Sequence, residues 1–427
     1  MAARLGPAVG GLSRRLGAGG GGVIGGRVTL ALDPSALPRL AAGRRSALVS
    51  GTNGKTTTTR LLARALETAG PVVTNAGGAN LPYGLVAALS AAPPDASRAA
   101  LEVDEAYLGR VADAVHPEAV VLLNLSRDQL DRINEVRMLA GRWRTAVSAL
   151  APSTAVVANA DDPMVVWGAQ PARRVIWVAA GMSWRLDASG CPACEGRIVF
   201  SGEAAWSCTC GFTRPPVDVW LEGSDMVTAG SSAPASRSSH SAPRRLTLDL
   251  ALPGRCNRAN AAMAVTAAEV MGADAERAAA ALATVADVDG RYGVVRVGGA
   301  GARLLLAKNP AGWAEIFDLL TPAPAPVVVA INARVADGRD PSWLWDVPFE
   351  RLAGRTVVAT GERCRDLAVR LRYAEVAHET VPDLTGAVAR AAALAPPAPP
   401  AAAGPSVPPV DVVANYTSFQ SLRRLAA

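Results

Sequence analysis

The run Gly51-Thr52-Asn53-Gly54-Lys55-Thr56-Thr57-Thr58-Thr59 constrains this chain more than any other stretch. It follows the apolar Ala47-Leu48-Val49-Ser50, which reads as a buried strand. It precedes Leu61-Leu62-Ala63-Arg64-Ala65-Leu66, which reads as an amphipathic helix. A strand that turns through glycines into a helix points backbone N–H groups at one place, at the positive end of the helix. Such a cradle suits phosphate. Lys55 can reach the outer phosphates of a nucleotide, and the Thr56 hydroxyl can ligate Mg²⁺. Gly51, Thr52, Asn53, Gly54, Lys55, Thr56 and Thr57 are therefore candidate nucleotide-binding residues, with Lys55 also a candidate catalytic residue. A Gly/Thr-rich surface turn would not need strand, Gly-Lys-Thr and helix in that order.

The 427 residues hold two or three domains. Residues 1–45 form a lead-in, with Gly21 to Leu30 expected as turn plus strand. From 46 to about 180, apolar runs such as Ala119–Asn124 and Thr154–Asn159 alternate with helical stretches, which argues for a doubly wound parallel sheet. A cysteine-bearing insertion occupies about 181–215, and the Ser/Ala/Pro-rich 228–245 reads as a flexible loop. Ala-rich helical segments run from Asn257 to about Ala286. The pattern restarts near 290, so 46–290 and 291–427 are expected as separate α/β domains. Strands of the second are expected at Arg303–Ala307, Val327–Asn332, Thr356–Thr360 and Val410–Ala414, with a Pro/Ala linker from Pro396 to Pro409.

The net charge of +6 is dispersed, and aromatic residues are only 4% of the chain, so nucleic acid is not an expected partner. No apolar run approaches the length of a membrane span. The N-terminus has arginines at 4, 14 and 15 but lacks an uninterrupted apolar core, so a signal peptide is rejected. The expected location is cytoplasmic, where thiols stay reduced. There, Cys191-x-x-Cys194 and Cys208-x-Cys210 favour a tetrahedral, structural Zn²⁺ site over disulfides. Buried thiols or redox cysteines are the competing readings. Cys256 and Cys364 read as plain thiols.

The spelling GTNGKTTTT resembles the nucleotide loop of the Mur ligases, ATP-dependent enzymes that join an amine to a carboxylate through an acyl phosphate. Further segments follow in the family's order: Leu101-Glu102-Val103-Asp104-Glu105, Asn124-Leu125-Ser126-Arg127-Asp128-Gln129-Leu130-Asp131-Arg132, Asn159-Ala160-Asp161-Asp162-Pro163, and Gly254-Arg255-Cys256-Asn257-Arg258-Ala259-Asn260. The resemblance implies that Glu102, with Glu105 as companion, holds Mg²⁺ beside Thr56, hard oxygen ligands being what that ion requires. It places Asn257 near the adenine. Cys256 departs from the family's usual bulky ring.

Lys308-Asn309-Pro310-Ala311-Gly312-Trp313, Asp337-Gly338-Arg339-Asp340-Pro341-Ser342-Trp343-Leu344-Trp345-Asp346 and Asn415-Tyr416-Thr417 resemble the MurT-type branch, as does the cysteine insertion. That resemblance implies a Mur ligase-type central P-loop domain with a parallel sheet and an inserted Cys₄ zinc ribbon, plus a C-terminal Rossmann-like α/β domain. It implies ATP-dependent amidation of D-glutamate in lipid II at the inner membrane face, with ammonia from a GatD-type glutaminase. A C-terminal aspartate would complete that partner's triad. Asp346 is the first candidate, with Asp337 and Asp340 as alternatives. Ala333 stands where the branch often has a polar residue. Trp343 and Trp345 are expected to pack in the core. Two other readings stay open: a ligase that adds a whole amino acid, and a non-catalytic ATP-binding scaffold.

Overall fold

The computed structural model describes residues 22–75, 78–127, 136–202, 205–230, 242–288, 291–396 and 410–426. They fall into two compact units. The first comprises the described residues up to Ser126 and from Val136 to Ala286; the second comprises Arg127 and the described residues from Asp287 onward.

The first unit is built on a nine-stranded sheet. Its strands are β1 (Arg45–Ser50), β2 (Val72–Thr74), β3 (Arg98–Glu102), β4 (Ala119–Leu122), β5 (Ala155–Asn159), β6 (Val175–Val178), β9 (Val219–Glu222), β10 (Asp225–Thr228) and β11 (Arg244–Thr247). The order is β11-β10-β9-β6-β5-β4-β1-β3-β2. Strands β1 to β6 pair in parallel, β9 joins β6 in parallel, and β9-β10-β11 are antiparallel to one another. Helices cover the parallel strands, so β4 and β5 are buried along their whole length and read as unbroken apolar runs. Leu48, Leu101, Leu122, Val156 and Trp143 meet in one core. Each large apolar side chain so buried contributes about 1.5–3 kcal/mol before chain entropy is counted.

Two expectations change. Gly22–Leu32 is a helix, not a turn and strand. Gly26 serves close packing: a Cβ there would collide with the backbone carbonyl of Tyr83, in the helix Pro82–Ser90. Strand β4 ends at Leu122 rather than Asn124, because the chain there leaves the ladder to bond the phosphate loop (Thr52 N–H to Asn124 O, 2.9 Å). The ends of the expected loop 228–245 belong to β10 and β11, and 231–241 lie outside the described residues. So do 397–409, most of the expected Pro/Ala linker, and Asp128–Arg132 of the family segment Asn124–Arg132.

The cysteine insertion carries a two-stranded hairpin, β7 (Val199–Phe200) and β8 (Trp206–Ser207). It is seated on the end of β5. The Trp206 indole donates to Ala160 O at 3.1 Å, and Arg214 Nε meets Asp161 Oδ1 at 2.7 Å. The next residue, Asp162, is fully buried. Its carboxylate accepts from Met164 N and Val165 N at a helix start, and from Leu125 N at the exit of β4.

The second unit has a six-stranded sheet in the order β12-β13-β17-β14-β15-β16. Strands β12 (Tyr292–Val297) and β13 (Ala300–Leu306) form a hairpin; β17 (Val410–Ala414), β14 (Val327–Ala330), β15 (Val357–Thr360) and β16 (His378–Thr380) are parallel. Trp313 and Phe349 fill one face, and Phe419 and Leu422 the other. The α/β class expected from the alternation is therefore the class observed. No described helix is long and apolar enough to cross a membrane.

Two predictions follow from the seating of the insertion. Arg214→Met leaves Asp161, 5% exposed, without its cation. We expect a loss on the order of 3 kcal/mol in urea unfolding; a loss under about 0.5 kcal/mol would show that the pair does not anchor the insertion. For Asp162, burial pushes the carboxyl up to about 6 against the pull of its backbone N–H donors. A carboxyl whose folded pKa is raised favours the folded state most below its unfolded pKa near 3.9, and that advantage is lost as pH rises through about 6. The stability of wild type relative to Asp162→Asn should therefore fall between about pH 4 and 6 by up to about 3 kcal/mol. A difference that is flat with pH would contradict this.

Candidate active site

The phosphate loop leaves β1 where the chain's path reverses, between β3 and β4, the place where open α/β sheets bind ligands. Gly51 (φ 150°) and Gly54 (φ 84°) take conformations that suit glycine. Both lie against neighbours. A Cβ on Gly51 would sit 2.8 Å from Leu123 Cβ, and one on Gly54 would sit 3.0 Å from Asn260 Oδ1. The helix Lys55–Glu67 starts directly after Gly54, so its free N–H groups open onto the loop.

The loop is held from the exit of β4. Thr52 Oγ1 donates to Ser126 O (3.1 Å) and accepts from Ser126 N (3.0 Å). Asn53 N donates to Asn124 Oδ1 (2.9 Å), and Asn124 Nδ2 returns to Asn53 O (3.0 Å). Of the loop residues expected to touch nucleotide, Thr52 and Asn53 thus use these groups to shape the loop.

Lys55 is 7% exposed. Its Nζ donates to Gly51 O at 2.5 Å and lies 3.1 and 3.2 Å from the two carboxylate oxygens of Glu105. A buried ammonium needs such a counter-charge. Glu105, expected beside Mg²⁺, is therefore placed on the lysine; its own backbone carbonyl is held by the Trp143 indole at 3.1 Å. Glu102, at the end of β3, is 1% exposed and faces Thr56: Thr56 Oγ1 donates to Glu102 Oε2 at 2.9 Å. Asn80 Nδ2 donates to the other oxygen at 3.2 Å. A threonine hydroxyl and a carboxylate, side by side at the start of a helix, are hard oxygen donors that suit Mg²⁺.

Asn257 bonds back to Pro253 O (2.6 Å), in the first turn of the helix Arg255–Val270, whereas Asn260 of the same helix faces Gly54. Asn75, Asn80 and Trp143 are members of this site that the motifs did not single out, and Asn260 closes the segment Gly254–Asn260. The signal for the first two was the segment Thr74-Asn75-Ala76-Gly77-Gly78-Ala79-Asn80, polar and glycine-rich where a strand ends.

The four insertion cysteines converge. Their Sγ atoms all lie within 4.8 Å of one another, with Cys191–Cys210 at 3.8 Å and Cys194–Cys208 at 3.5 Å. Ligands at about 2.3 Å around a tetrahedral ion would be about 3.8 Å apart. The group can therefore hold a metal ion with little movement. None of the six cysteines forms a disulfide.

In the second unit the three candidate aspartates differ in surroundings. Asp337 is buried and accepts from Thr417 N (2.8 Å), from the Thr417 hydroxyl and from Arg334 N (3.3 Å). Asp340 is exposed; the Ser342 N–H at 2.9 Å holds its carboxyl below the usual range. Asp346 follows the turn Ser342–Trp345; its Oδ2 lies 3.3 Å from an Arg127 nitrogen, with both side chains about one-third exposed. Trp343 packs in the core as expected. Trp345 does not: it is 54% exposed and meets Tyr373 edge-on at 5.4 Å. Asn332 and Asn415 bond each other across the ends of β14 and β17, and Asn309 caps the helix Pro310–Ile316.

Residues 49–180 match the Mur ligase middle domain, and residues 306–419 match the MurT ligase C-terminal domain. A MurT subunit of lipid II isoglutaminyl synthase (glutamine-hydrolyzing) from Streptococcus pneumoniae is 30% identical over 83% of this chain and 82% of its own length. Its counterpart in Staphylococcus aureus is 28% identical over 77% of each chain. Among solved structures, a pseudomurein peptide ligase type C from Methanothermus fervidus superposes with a TM-score of 0.63 at 18% identity, over 90% of this chain and 78% of that one. Mycobacterium tuberculosis folylpolyglutamate synthase gives 0.60 at 16%, over 93% and 94%. The structures establish the fold, and the similarity to the streptococcal relative over most of both lengths shows that this chain belongs to the MurT family of Mur ligases.

Proposed function

We propose that this chain is the ligase subunit of a lipid II isoglutaminyl synthase. The observation that carries the reading is the Lys55–Thr56–Glu102 constellation on a glycine cradle, in a chain of this family. Phosphates of ATP would take the place now lined by the loop N–H groups, with Lys55 exchanging part of its bonding to Glu105 for the terminal phosphates. Mg²⁺, held by Thr56 and Glu102, would neutralise phosphate charge. An oxygen of the D-glutamate α-carboxylate attacks the γ-phosphorus, ADP leaves, and an acyl phosphate results. Ammonia then attacks the acyl carbon, phosphate departs, and loss of a proton leaves the amide of D-isoglutamine. Asn260, beside Gly54, is better placed than Asn257 to reach the nucleotide.

Ammonia would come from a GatD-type subunit, with lipid II met at the inner membrane face. Asp337 is already bonded on both oxygens, which supports Asp346 as the aspartate that orients the partner's histidine. The cysteine group is read as a closed structural Zn²⁺ site, since four thiolates leave no open position. The chain division is taken as a lead-in at 1–45, a central domain at 46–290 and a C-terminal domain at 291–427.

Four expected outcomes test this. The chain, co-purified with its amidotransferase subunit and given ATP, glutamine and lipid II, should yield lipid II with the mass change of amidation. Lys55→Ala should abolish this with either glutamine or ammonia. Because that change strands a buried Glu105, the Lys55→Ala/Glu105→Gln pair should be equally inactive yet closer to wild type in thermal unfolding; activity in either variant would sink the assignment. Asp346→Asn should cut glutamine hydrolysis by orders of magnitude while sparing amidation from high free ammonia. Normal glutaminase activity would move the role to Asp340. Protein prepared without chelator should carry about one zinc per chain, lost in Cys191→Ser; a zinc-free wild type would refute the site.

A further inference from the structure

Strand β3 delivers Glu102 at its last residue, and its two edges are supported differently there. On one edge the ladder with β1 runs to the end: Val49 is the register partner of Glu102, and Val103 N donates to Val49 O at 2.9 Å. On the other edge the ladder with β2 stops at Thr74–Ala100, two residues short of Glu102. The main chain of Glu102 is nonetheless paired. Asn75 Oδ1 accepts from Glu102 N at 2.8 Å, and Asn75 Nδ2 donates to Glu102 O at 2.8 Å. One side-chain amide thus supplies both bonds that a neighbouring strand would have made.

The same Nδ2 donates to Ala79 O at 3.0 Å, and Asn80 closes the segment onto Glu102 Oε1. Asn80 O in turn accepts from Asp104 N at 3.1 Å. Gly78 passes over the Thr56–Glu102 pair, so close that a Cβ there would be 3.5 Å from Thr56 Oγ1 and 3.7 Å from Glu102 Oε2. Asn75 is 4% exposed and touches neither Thr56 nor Lys55 by any bond given above.

We infer that Asn75 is a positioning residue for divalent-cation binding: it replaces a strand at the edge of β3, and thereby fixes the main chain from which Glu102 presents its carboxylate beside Thr56. The inference rests on Glu102 being the cation's carboxylate ligand. Without the amide, Glu102 N and Glu102 O lose their partners on that edge, and the carboxylate loses its fixed distance to the threonine hydroxyl. Partners that orient a ligand typically change metal affinity by about 10–100-fold when removed.

The test uses the full-length chain with a non-hydrolysable ATP analogue and Mn²⁺ as probe, its binding read by electron paramagnetic resonance. Asn75→Ala should weaken Mn²⁺ about tenfold or more, while binding of a fluorescent ATP analogue without divalent ion stays near wild type. In the amidation assay the Mg²⁺ concentration for half-maximal rate should rise, and much of kcat should return at saturating Mg²⁺. Asn75→Thr keeps a branched side chain with one hydrogen-bonding group; it should be intermediate, and it decides the matter if Asn75→Ala does not fold. Glu102→Gln is the reference. If Glu102→Gln keeps full Mn²⁺ affinity, the ligand assignment fails and the inference with it. If Glu102→Gln loses Mn²⁺ but the Asn75 variants bind it normally, the positioning role alone is wrong. Loss of metal-free nucleotide binding in both Asn75 variants would also overturn it, showing a role in the shape of the whole loop.

Discussion

The phosphate loop depends on a reciprocal clasp between Thr52 and Ser126, reinforced by Asn53 and Asn124. Glycine-rich loops are conformationally expensive to order, because glycine loses more backbone freedom than any other residue. Bonds of roughly 1 kcal/mol each, made by groups already fixed at the end of a fully buried strand, offset that cost. The clasp also explains why β4 stops short. After Leu122 the main-chain groups of Asn124 and Ser126 bond the loop in place of a neighbouring strand.

Charge is handled by pairing before any ligand arrives. Lys55 and Glu105 are both nearly buried, and an isolated ion of either sign would be costly there. Their contact lets the lysine stay charged and close to the cradle. A nucleotide triphosphate supplies more negative charge than one carboxylate, so the lysine can turn toward phosphate without ever being left unpaired. Glu102 is held differently, by hydrogen bonds from neutral donors, Thr56 and Asn80. The two neighbouring glutamates thus differ in environment: Glu105 meets the Lys55 ammonium, and Glu102 meets a threonine hydroxyl and an amide.

The cysteine insertion shows a related economy of contacts. It is a small hairpin whose core is little more than Trp206, Phe212, Ile198 and two of its own cysteines. So small a core holds little stability by itself. Two anchors, an indole on a strand-end carbonyl and an arginine on a buried aspartate, tie it to β5, and Asp162 ties the same strand end to β4. The motif Asn159-Ala160-Asp161-Asp162 therefore acts here as the seat of the insertion and as a brace to the strand that holds the phosphate loop.

By itself the sequence determined the class of fold, the family, the place of the phosphate loop and the four cysteines, because each is written in residues close together in the chain. Periodicity, a glycine-lysine-threonine run and paired cysteines are local signals. Where local composition served packing, it misled. The glycines of Gly22–Leu32 read as a turn, yet the segment is a helix in which Gly26 lets a second helix approach. Trp345 read as core by its type alone, although a turn that buries Trp343 leaves it outside. Only tertiary structure decided that Glu105 meets Lys55 rather than standing with Glu102 beside Thr56, that Asn260 rather than Asn257 faces Gly54, and that Asn75 completes the edge of β3. Those pairings join residues 27 to 50 positions apart in the chain, or more. They are set by which strands lie side by side and where each ladder ends, and no local pattern encodes that.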